Sequence, residues 1–207
     1  MQQLLTGKTR LPGFDGEWES KRLGEVSTIA TGNTPPTNNV FNYGDEFLFV
    51  SPVDMGDTKF IIRTEKQLSS KGFAMSRRFP KGSILFVSIG STIGKCGIAS
   101  IELTSNQQIN AIFPSPTFSV DYLFYTICSV APKIKAQAGE QAVPIVNKTQ
   151  FSETTVVLPP LPEQNAIASI LSDMDTEIAT LEQRRNKTRD LKQAMMQELL
   201  TGRIRLL

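Results

Sequence analysis

Histidine is absent from the 207 residues of this chain. Because histidine is the commonest general base and metal ligand near neutral pH, its absence excludes Ser-His-Asp hydrolytic triads and histidine-based metal catalysis. Cysteine is almost as scarce: Cys96 and Cys128 each lie in an apolar run, and their spacing fits no metal-binding motif. The sequence therefore predicts buried free thiols, and neither a disulfide framework nor a zinc site.

Long apolar runs and an excess of charge are missing as well. No apolar run approaches the roughly 18 residues that a membrane helix needs, and the N-terminus lacks the basic-then-apolar order of a signal peptide, so we expect a cytoplasmic protein that contacts no membrane. The 22 Lys+Arg nearly balance the 20 Asp+Glu. This balance predicts no strong overall attraction to polyanions, but it leaves a local basic patch open.

The pattern of residue types changes near Val157 and divides the chain into two regions. The first contains short β-branched and aromatic runs separated by Gly, Pro, Asn and Ser, which is typical of strands. One helix interrupts them, with Ser119 as its N-cap, apolar residues at helical spacing from Val120 to Cys128, and Pro132 to kink or end it. The predicted strands are Val26–Thr31, Phe47–Ser51, Ser83–Ile89, Gly97–Ile101, Ala111–Phe113 and Thr154–Leu158.

The second region is one long predicted helix. The stretch LPPLPEQ is followed by residues without Gly or Pro until Gly202, with Pro162 suited to a first turn and Gly202 to a C-cap. Pro-Pro-Leu-Pro serves here as a stiff connector, or alternatively as a polyproline ligand. Steps of three and four residues predict a coiled-coil seam with a polar middle, a lone surface helix being the alternative. The predicted seam contains Ile167, Leu171, Met174, Ile178, Leu181, Thr188, Met195 and Leu199. The predicted fold class is thus α+β, a strand-rich domain followed by a coiled-coil-forming helix.

An eleven-residue sequence occurs at both ends of the chain. MQQLLTGKTRL runs from Met1 to Leu11, and MQELLTGRIRL runs from Met196 to Leu206. The two copies align without a gap and differ at three positions, Gln3/Glu198, Lys8/Arg203 and Thr9/Ile204. The chain therefore contains one period of a repeat.

Three polar segments are candidates for binding. Gly90 to Cys96 resembles a phosphate-binding loop, but the spacing of its glycines and the residue after Lys95 do not fit that motif, and a turn that offers donors to phosphates or base edges fits better. Thr104 to Asn110 is rich in amides, the natural bidentate partners of adenine. Gly32 to Asn39 is either a rigid polar loop or a poor copy of an amino-methyltransferase signature. The candidate DNA contacts are Thr34, Thr37, Arg77, Arg78, Ser91, Thr92, Lys95, Asn106, Gln107 and Asn110.

Taken together, these segments resemble the specificity subunits of type I restriction-modification enzymes. The likeness is strongest from Leu158 to Leu206, where the Pro-Pro-Leu-Pro-Glu-Gln entry, the Arg184-Arg185 pair and the Leu-Leu-Thr-Gly-Arg end match the spacer of that family. Upstream, Leu23–Thr37, Gly90–Ala99 and Ser105–Ile112 resemble its target recognition domains. The resemblance implies a lead-in over residues 1–14 left from a preceding spacer, a recognition domain over residues 15–157 and a spacer over residues 158–207.

The resemblance also implies a function. Members of the family bind double-stranded DNA without a catalytic activity or cofactor of their own and direct methyltransferase and restriction subunits to a bipartite target. Full-length members carry two recognition domains and two antiparallel helices, so a chain with one of each is expected to form an antiparallel homodimer. Two alternatives are a small DNA methyltransferase, which the missing cofactor loop disfavours, and an assembly or interference protein that reads no DNA.

Overall fold

The computed structural model describes residues 2–56, 58–139 and 143–202, with the side chain of Gln2 left out. The predicted α+β class is confirmed: a strand-rich domain precedes one long helix. The chain forms two compact units, residues 1–168 and 169–207. The helices are α1 Gln2–Leu5, α2 Leu23–Val26, α3 Ser70–Met75, α4 Val120–Ala136, α5 Lys148–Ser152 and α6 Leu161–Leu200, with 3-10 turns at Val40–Asn42 and Pro52–Asp54.

Twelve short strands lie in the described part of the chain. They are β1 Glu19–Arg22, β2 Ile29–Thr31, β3 Tyr43–Gly44, β4 Phe47–Val50, β5 Phe60–Ile61, β6 Lys66–Leu68, β7 Arg78–Phe79, β8 Ile84–Val87, β9 Cys96–Ala99, β10 Leu103–Ser105, β11 Ile109–Ile112 and β12 Thr155–Leu158. The apolar runs that predicted strands all contain one, since β-branched and aromatic side chains pack well on a buried sheet. The strands that were not predicted are β1, β3, β5, β6, β7 and β10. β1 is exposed along its length and has no apolar residue, and the other five have only two or three residues, too few to show alternation.

The strands form two five-stranded sheets and a separate pair. One sheet has the order β3-β6-β4-β10-β7, the other has the order β2-β11-β8-β9-β5, and β1 pairs with β12. Every pairing is antiparallel except β4 with β10 and β5 with β9. A shared apolar core contains residues of both large sheets, among them Val50, Phe79, Leu85, Val87 and Ile109. The short connection from β10 to β11 crosses from one sheet to the other and places the amide-rich segment at that crossing.

Two local predictions need correction. The strand predicted from Val26 begins only at Ile29, because Leu23 and Val26 are both buried one turn apart in α2. Pro132 does not end α4, which continues to Ala136 with Ala131 and Ile134 buried on either side of the proline. Ser119 is the N-cap as predicted, but its side chain makes no capping bond. Its backbone N–H instead donates to Oε1 of Gln164 (2.9 Å), so the LPPLPEQ segment holds the start of α4.

The long helix α6 is continuous over 40 residues, and its predicted extent is confirmed. At 1.5 Å per residue it spans about 60 Å. No helix in the described part of the chain is long and apolar enough to cross a membrane. Among the predicted seam residues, Ile167 and Leu171 are already buried in the single chain, whereas Met174, Ile178, Leu181 and Met195 are exposed. A second helix could therefore pack only on the later part of the predicted seam.

Candidate functional site

The loop after β2 packs on the connection between β10 and β11. The backbone N–H of Gly32 donates to the carbonyl of Ile109 (3.0 Å), and the hydroxyl of Thr34 donates to Oε1 of Gln107 (2.7 Å). Thr34 is half-buried and Gln107 is exposed. Two predicted contact residues that lie 73 positions apart in the sequence thus come together at one edge of the domain.

Gly32 is required for this close approach. A Cβ at this position would lie 2.2 Å from the hydroxyl oxygen of Ser105 and 2.3 Å from the carbonyl oxygen of Asn106, distances that no real side chain tolerates. The second of these atoms is backbone, so the loop itself would have to move.

We therefore expect Gly32→Ala to separate the two loops and to lower the free energy of unfolding by about 1–3 kcal/mol through overpacking. Urea denaturation measures the change. Gly24→Ala is the matched control, since the nearest atom to its Cβ is Cβ of Ser152 at 3.2 Å, a contact that a shift of a few tenths of an ångström relieves. Equal stability of the two variants would contradict the packing argument.

The amide-rich connection is a closed turn that presents one side chain outward. Oδ1 of Asn106 accepts from the backbone N–H of Gln108 (3.0 Å), and Nδ2 of Asn106 donates to Oε1 of Gln108 (3.0 Å). This is the local side-chain-to-backbone bonding that asparagine uses to form turns. Asn106 and Gln108 are thus used to fix the turn, and Gln107 between them faces solvent.

Asn110 does not lie on the surface. Its side chain is 2% exposed, Nδ2 donates to the hydroxyl of Ser88 (2.7 Å), and Oδ1 accepts from the hydroxyl of Thr31 (2.6 Å). A buried amide with both ends bonded cannot reach a macromolecular ligand without losing those bonds. Asn110 on β11 therefore joins Thr31 on β2 to Ser88, the residue that follows β8, and it is not among the contact residues that we propose.

The two adjacent arginines differ in their surroundings. The backbone N–H of Arg77 donates to Oδ1 of Asn33 (2.6 Å), and its guanidinium donates to the carbonyl of Thr31, which holds the exposed Arg77 beside the β2 loop. The guanidinium of Arg78 lies over the ring of Phe73, 4.9 Å from its centre. Thr37 is exposed at the tip of the same β2 loop. Arg77 thus adjoins Thr34, whereas Arg78 is held by an aromatic ring.

The turn from Gly90 to Lys95 forms one wall of a groove, and α4 forms the other. Nζ of Lys135 donates to the backbone carbonyl of Ser91 (3.1 Å) and so joins the two walls. The groove is lined by Ser91, Thr92, Ile93, Gly94, Lys95, Cys128, Ala131, Pro132 and Lys135. These lining residues include two lysines and no carboxylate, so the groove attracts anions. We call it the basic groove and use that name for its polar side chains, which belong to Ser91, Thr92, Lys95 and Lys135.

The basic groove adjoins the amide-rich turn. A Cβ at Gly90 would lie 3.9 Å from Nε2 of Gln108, so the two turns are neighbours. The backbone continues this link, because the N–H of Ser88 donates to the carbonyl of Gln108 (2.8 Å). Thr34, Gln107 and the basic groove therefore form one polar surface, which we call the loop surface.

The two cysteines are neighbours at this groove, and Cys128 is one of its lining residues. Neither forms a disulfide bond; Cys96 is buried and Cys128 is half-buried. A hydrogen bond with Cys128 and burial both raise the pKa of the Cys96 thiol well above its usual value, so it stays protonated and is a poor nucleophile. In the described part of the chain, no group of three side chains could hold a metal ion.

The sequence indicated Lys135 only as one of several scattered basic residues that could contact phosphate, together with Lys81, Lys133 and Lys148. A signal for it existed, since Cys128, Ala131 and Lys135 recur at helical spacing on α4 and share a face. What the sequence did not contain was the pairing of that face with a turn 44 positions earlier. The supporting side chains Thr31 and Ser88 carried no signal, because a lone hydroxyl in a strand resembles any other.

Comparisons with known proteins agree on one family. Residues 15–188 match the family model of the type I restriction modification DNA specificity domain. The chain is 28% identical over 165 residues to the MjaIX specificity subunit of Methanocaldococcus jannaschii, which covers 77% of this chain and 38% of that protein. It is 31% identical over 146 residues to the HindI specificity subunit of Haemophilus influenzae, covering 69% of this chain and 32% of that one.

The fold is similar to that of solved structures. The HsdS subunit from Thermoanaerobacter tengcongensis matches with a TM-score of 0.67 at 22% identity, covering 95% of this chain and 49% of that one. A chain from structural work on complex assembly and conformational transition of the type I R-M system matches with a TM-score of 0.72, also at 22% identity, covering 95% of this chain and 50% of that one. This chain thus spans about a third to a half of the length of the proteins that it resembles.

Proposed function

Because the chain belongs to the family of type I restriction modification DNA specificity domains, we propose that it reads one half of a two-part DNA target without catalysing a reaction itself. The observation that carries this proposal is the loop surface. Segments that lie far apart in the sequence bring Thr34, Gln107 and the basic groove together at one edge of a rigid two-sheet core. Such a surface presents hydroxyls, ammonium groups and an amide, the groups that bind and discriminate nucleic acids.

The chemistry of the loop surface suits duplex DNA. Lysine ammonium groups and the short hydroxyls of Ser91 and Thr92 are donors for phosphate oxygens, and they position a protein without reading sequence. The exposed amide of Gln107 accepts from Thr34 through one lone pair of Oε1, and its NH2 group with the second lone pair can form the paired bonds that recognise adenine in the major groove. In this proposal the basic groove positions the domain on the backbone, and Gln107 with Thr34 reads base edges.

The names of the relatives support a proposal about the partner subunits. These relatives are named as specificity subunits of type I restriction enzymes, and we propose that this chain likewise directs methyltransferase and restriction subunits to DNA in the cytoplasm. A formal charge of only +2 fits a recognition subunit whose partners supply part of the attraction to the phosphate backbone. Residues 158–207, with α6 as the main element, are proposed to be the assembly segment, and residues 15–157 the DNA-reading segment.

A homodimer would supply a second recognition domain, which would read the other half of the target. The later part of the α6 seam is apolar and exposed in the single chain, and a polar middle with Arg184 and Arg185 interrupts it. Antiparallel pairing would place the Met174–Leu181 half of one helix against the Leu191–Leu199 half of its mate. Two identical domains related by a two-fold axis would read identical half-sites in opposite orientation. The proposed target is therefore an interrupted palindrome.

Selection of bound sequences from random DNA tests this function directly. The full chain is mixed with methyltransferase subunits of a type I system, bound DNA is recovered, and the enriched sequence is determined. We expect two identical inverted half-sites separated by a fixed gap. Absence of any enriched sequence would favour the assembly or interference role, and methyl transfer by the purified chain alone would favour a small methyltransferase.

Gln107→Ala tests the assignment of base reading. Loss of the amide should reduce discrimination at one base pair of each half-site by about 1–3 kcal/mol and leave the salt dependence of binding unchanged, because no phosphate contact is lost. Competition between the selected DNA and single-base variants measures this. Gln193→Ala, which removes an exposed amide from α6, is the control. Unchanged discrimination at every position would remove Gln107 from the reading residues.

A further inference from the structure

The first copy of the repeated sequence is packed on the domain. Leu5 at the end of α1 is 4% exposed, and α1 contacts α4. A Cβ at Gly7 would lie 3.4 Å from the ring of Trp18, so the backbone of Gly7 lies close to that ring. Arg10 completes the contact by reaching Glu163 in the first turn of α6. Residues 2–10, within the predicted lead-in, therefore form an arm that is held on the domain by three anchors, Leu5, Gly7 and Arg10.

Glu163 and Trp18 form a socket for Arg10. The guanidinium donates to both carboxylate oxygens, from Nε to Oε1 (3.1 Å) and from Nη2 to Oε2 (2.7 Å), and the indole N–H of Trp18 donates to Oε2 (3.1 Å). Glu163 is 0% exposed, and the Arg10 guanidinium lies 5.9 Å from the centre of the Trp18 ring. A paired fork of this kind is specific for arginine, because lysine cannot form both bonds.

The second copy has the same local structure as the first. Gly7 and Gly202 have φ angles of 68° and 71°, and each follows a helix that ends at the equivalent leucine. The hydroxyl of Thr6 donates to the carbonyl of Gln3 (3.4 Å), and the hydroxyl of Thr201 donates to the carbonyl of Glu198 (3.3 Å). The two copies therefore share the same turn after the helix, at Thr6–Gly7 and at Thr201–Gly202.

None of the three differences between the copies lies at an anchor residue. Gln3, Lys8 and Thr9 are all exposed in the first copy, and the side chains of Gln3 and Thr9 bond to each other (3.2 Å) and not to the domain. The anchors Leu5, Gly7 and Arg10 correspond to Leu200, Gly202 and Arg205 in the second copy. Leu200 is 82% exposed, whereas Leu5 is buried. Arg205 lies outside the described residues, and its role follows from the alignment alone.

We propose that the Glu163–Trp18 socket is a docking site for the Met196–Leu206 segment of a second copy of this chain, for which the chain's own first copy competes. The segment contains the residues equivalent to all three anchors of the arm. The apolar one, Leu200, is exposed in the single chain. Docking would link the end of α6 in one copy to the base of the recognition domain in the other. This inference concerns self-association and does not depend on DNA reading.

A peptide titration tests the docking. The peptide MQELLTGRIRL is added to the full chain carrying Arg10→Ala, which leaves the socket carboxylate without its own arginine. Trp18 is the single tryptophan and the peptide has none, so tryptophan emission reports the socket. We expect saturable binding, about tenfold weaker for the peptide with Arg205→Ala and about equal for the peptide with Arg203→Ala. The unaltered chain should bind the peptide more weakly than the Arg10→Ala chain, because its own arm occupies the socket.

A second measurement keeps the native arm intact. In the full chain, Arg205→Ala should weaken self-association about tenfold in sedimentation equilibrium, whereas Arg203→Ala, which removes the same charge two positions earlier, should have little effect. No saturable peptide binding, equal affinities of the two altered peptides, or equal self-association of the two variants would each overturn the docking. Neither measurement contains DNA, so failure here is separate from failure of the DNA-reading function.

Discussion

A chain carrying both Ile178→Asp and Leu181→Asp is expected to be monomeric at concentrations where the unaltered chain is a dimer. Ile178 and Leu181 are 53% and 55% exposed in the single chain, so pairing can still bury about half of each side chain. Full burial of such a side chain contributes about 1.5–3 kcal/mol, and the two-fold dimer contains four of them. The expected loss is therefore about 3–6 kcal/mol, or 10²- to 10⁴-fold in Kd, before the cost of burying carboxylates is added.

Sedimentation equilibrium measures this change, and a second double variant controls for added charge. Thr180→Asp with Gln183→Asp introduces the same two carboxylates at exposed positions of α6 that lie outside the seam. It should leave dimerisation within a few-fold of the unaltered chain. Equal dissociation constants for the two double variants, or an unaltered chain that stays monomeric, would rule out the proposed pairing. Leu171, which the sequence placed in the seam, is left unchanged because it is buried in the single chain.

Removal of both lysines from the basic groove is expected to have the largest effect on DNA affinity. If Lys95 and Lys135 each neutralise one phosphate, Lys95→Ala with Lys135→Ala should reduce the slope of log K against log salt by about 1.8 per domain. Affinity at low salt should fall by about tenfold or more, while the preferred sequence stays the same, since phosphate contacts carry no base information. Lys135 also bonds to the carbonyl of Ser91, so the wall of the groove loses a support.

Salt titration of DNA binding by the complex with methyltransferase subunits measures the slope. The double variant Lys21→Ala with Lys66→Ala removes the same charge from strands β1 and β6, where neither lysine lines the basic groove. Its slope should match that of the unaltered chain. An equal fall in slope for both double variants would show that only net charge matters, and no fall in either would exclude the groove as a phosphate site.

The features that the sequence determined alone are local in origin. The absence of Gly and Pro from Glu163 to Thr201 was enough to predict α6, because helix formation depends on propensities within a few turns. The apolar runs predicted six of the twelve described strands, although not the boundary at Val26, where two buried residues one turn apart form a helix instead. The repeat and the landmarks of the spacer were likewise visible in the letters alone, and the family that they indicated is the one whose model the chain matches.

Only the tertiary structure decided which side chains are exposed for binding and which are bonded to other parts of the chain. Asn110 and Gln107 look alike in the sequence, yet one is bonded between strands and the other is exposed, because β10 and β11 belong to different sheets and the turn between them lies at the edge. The same holds for Arg10, which meets Glu163 across 153 positions. Neighbouring residues set the preference of a segment for helix or strand, whereas contacts over such separations depend on how the sheets and helices pack, and no short-range pattern encodes that packing.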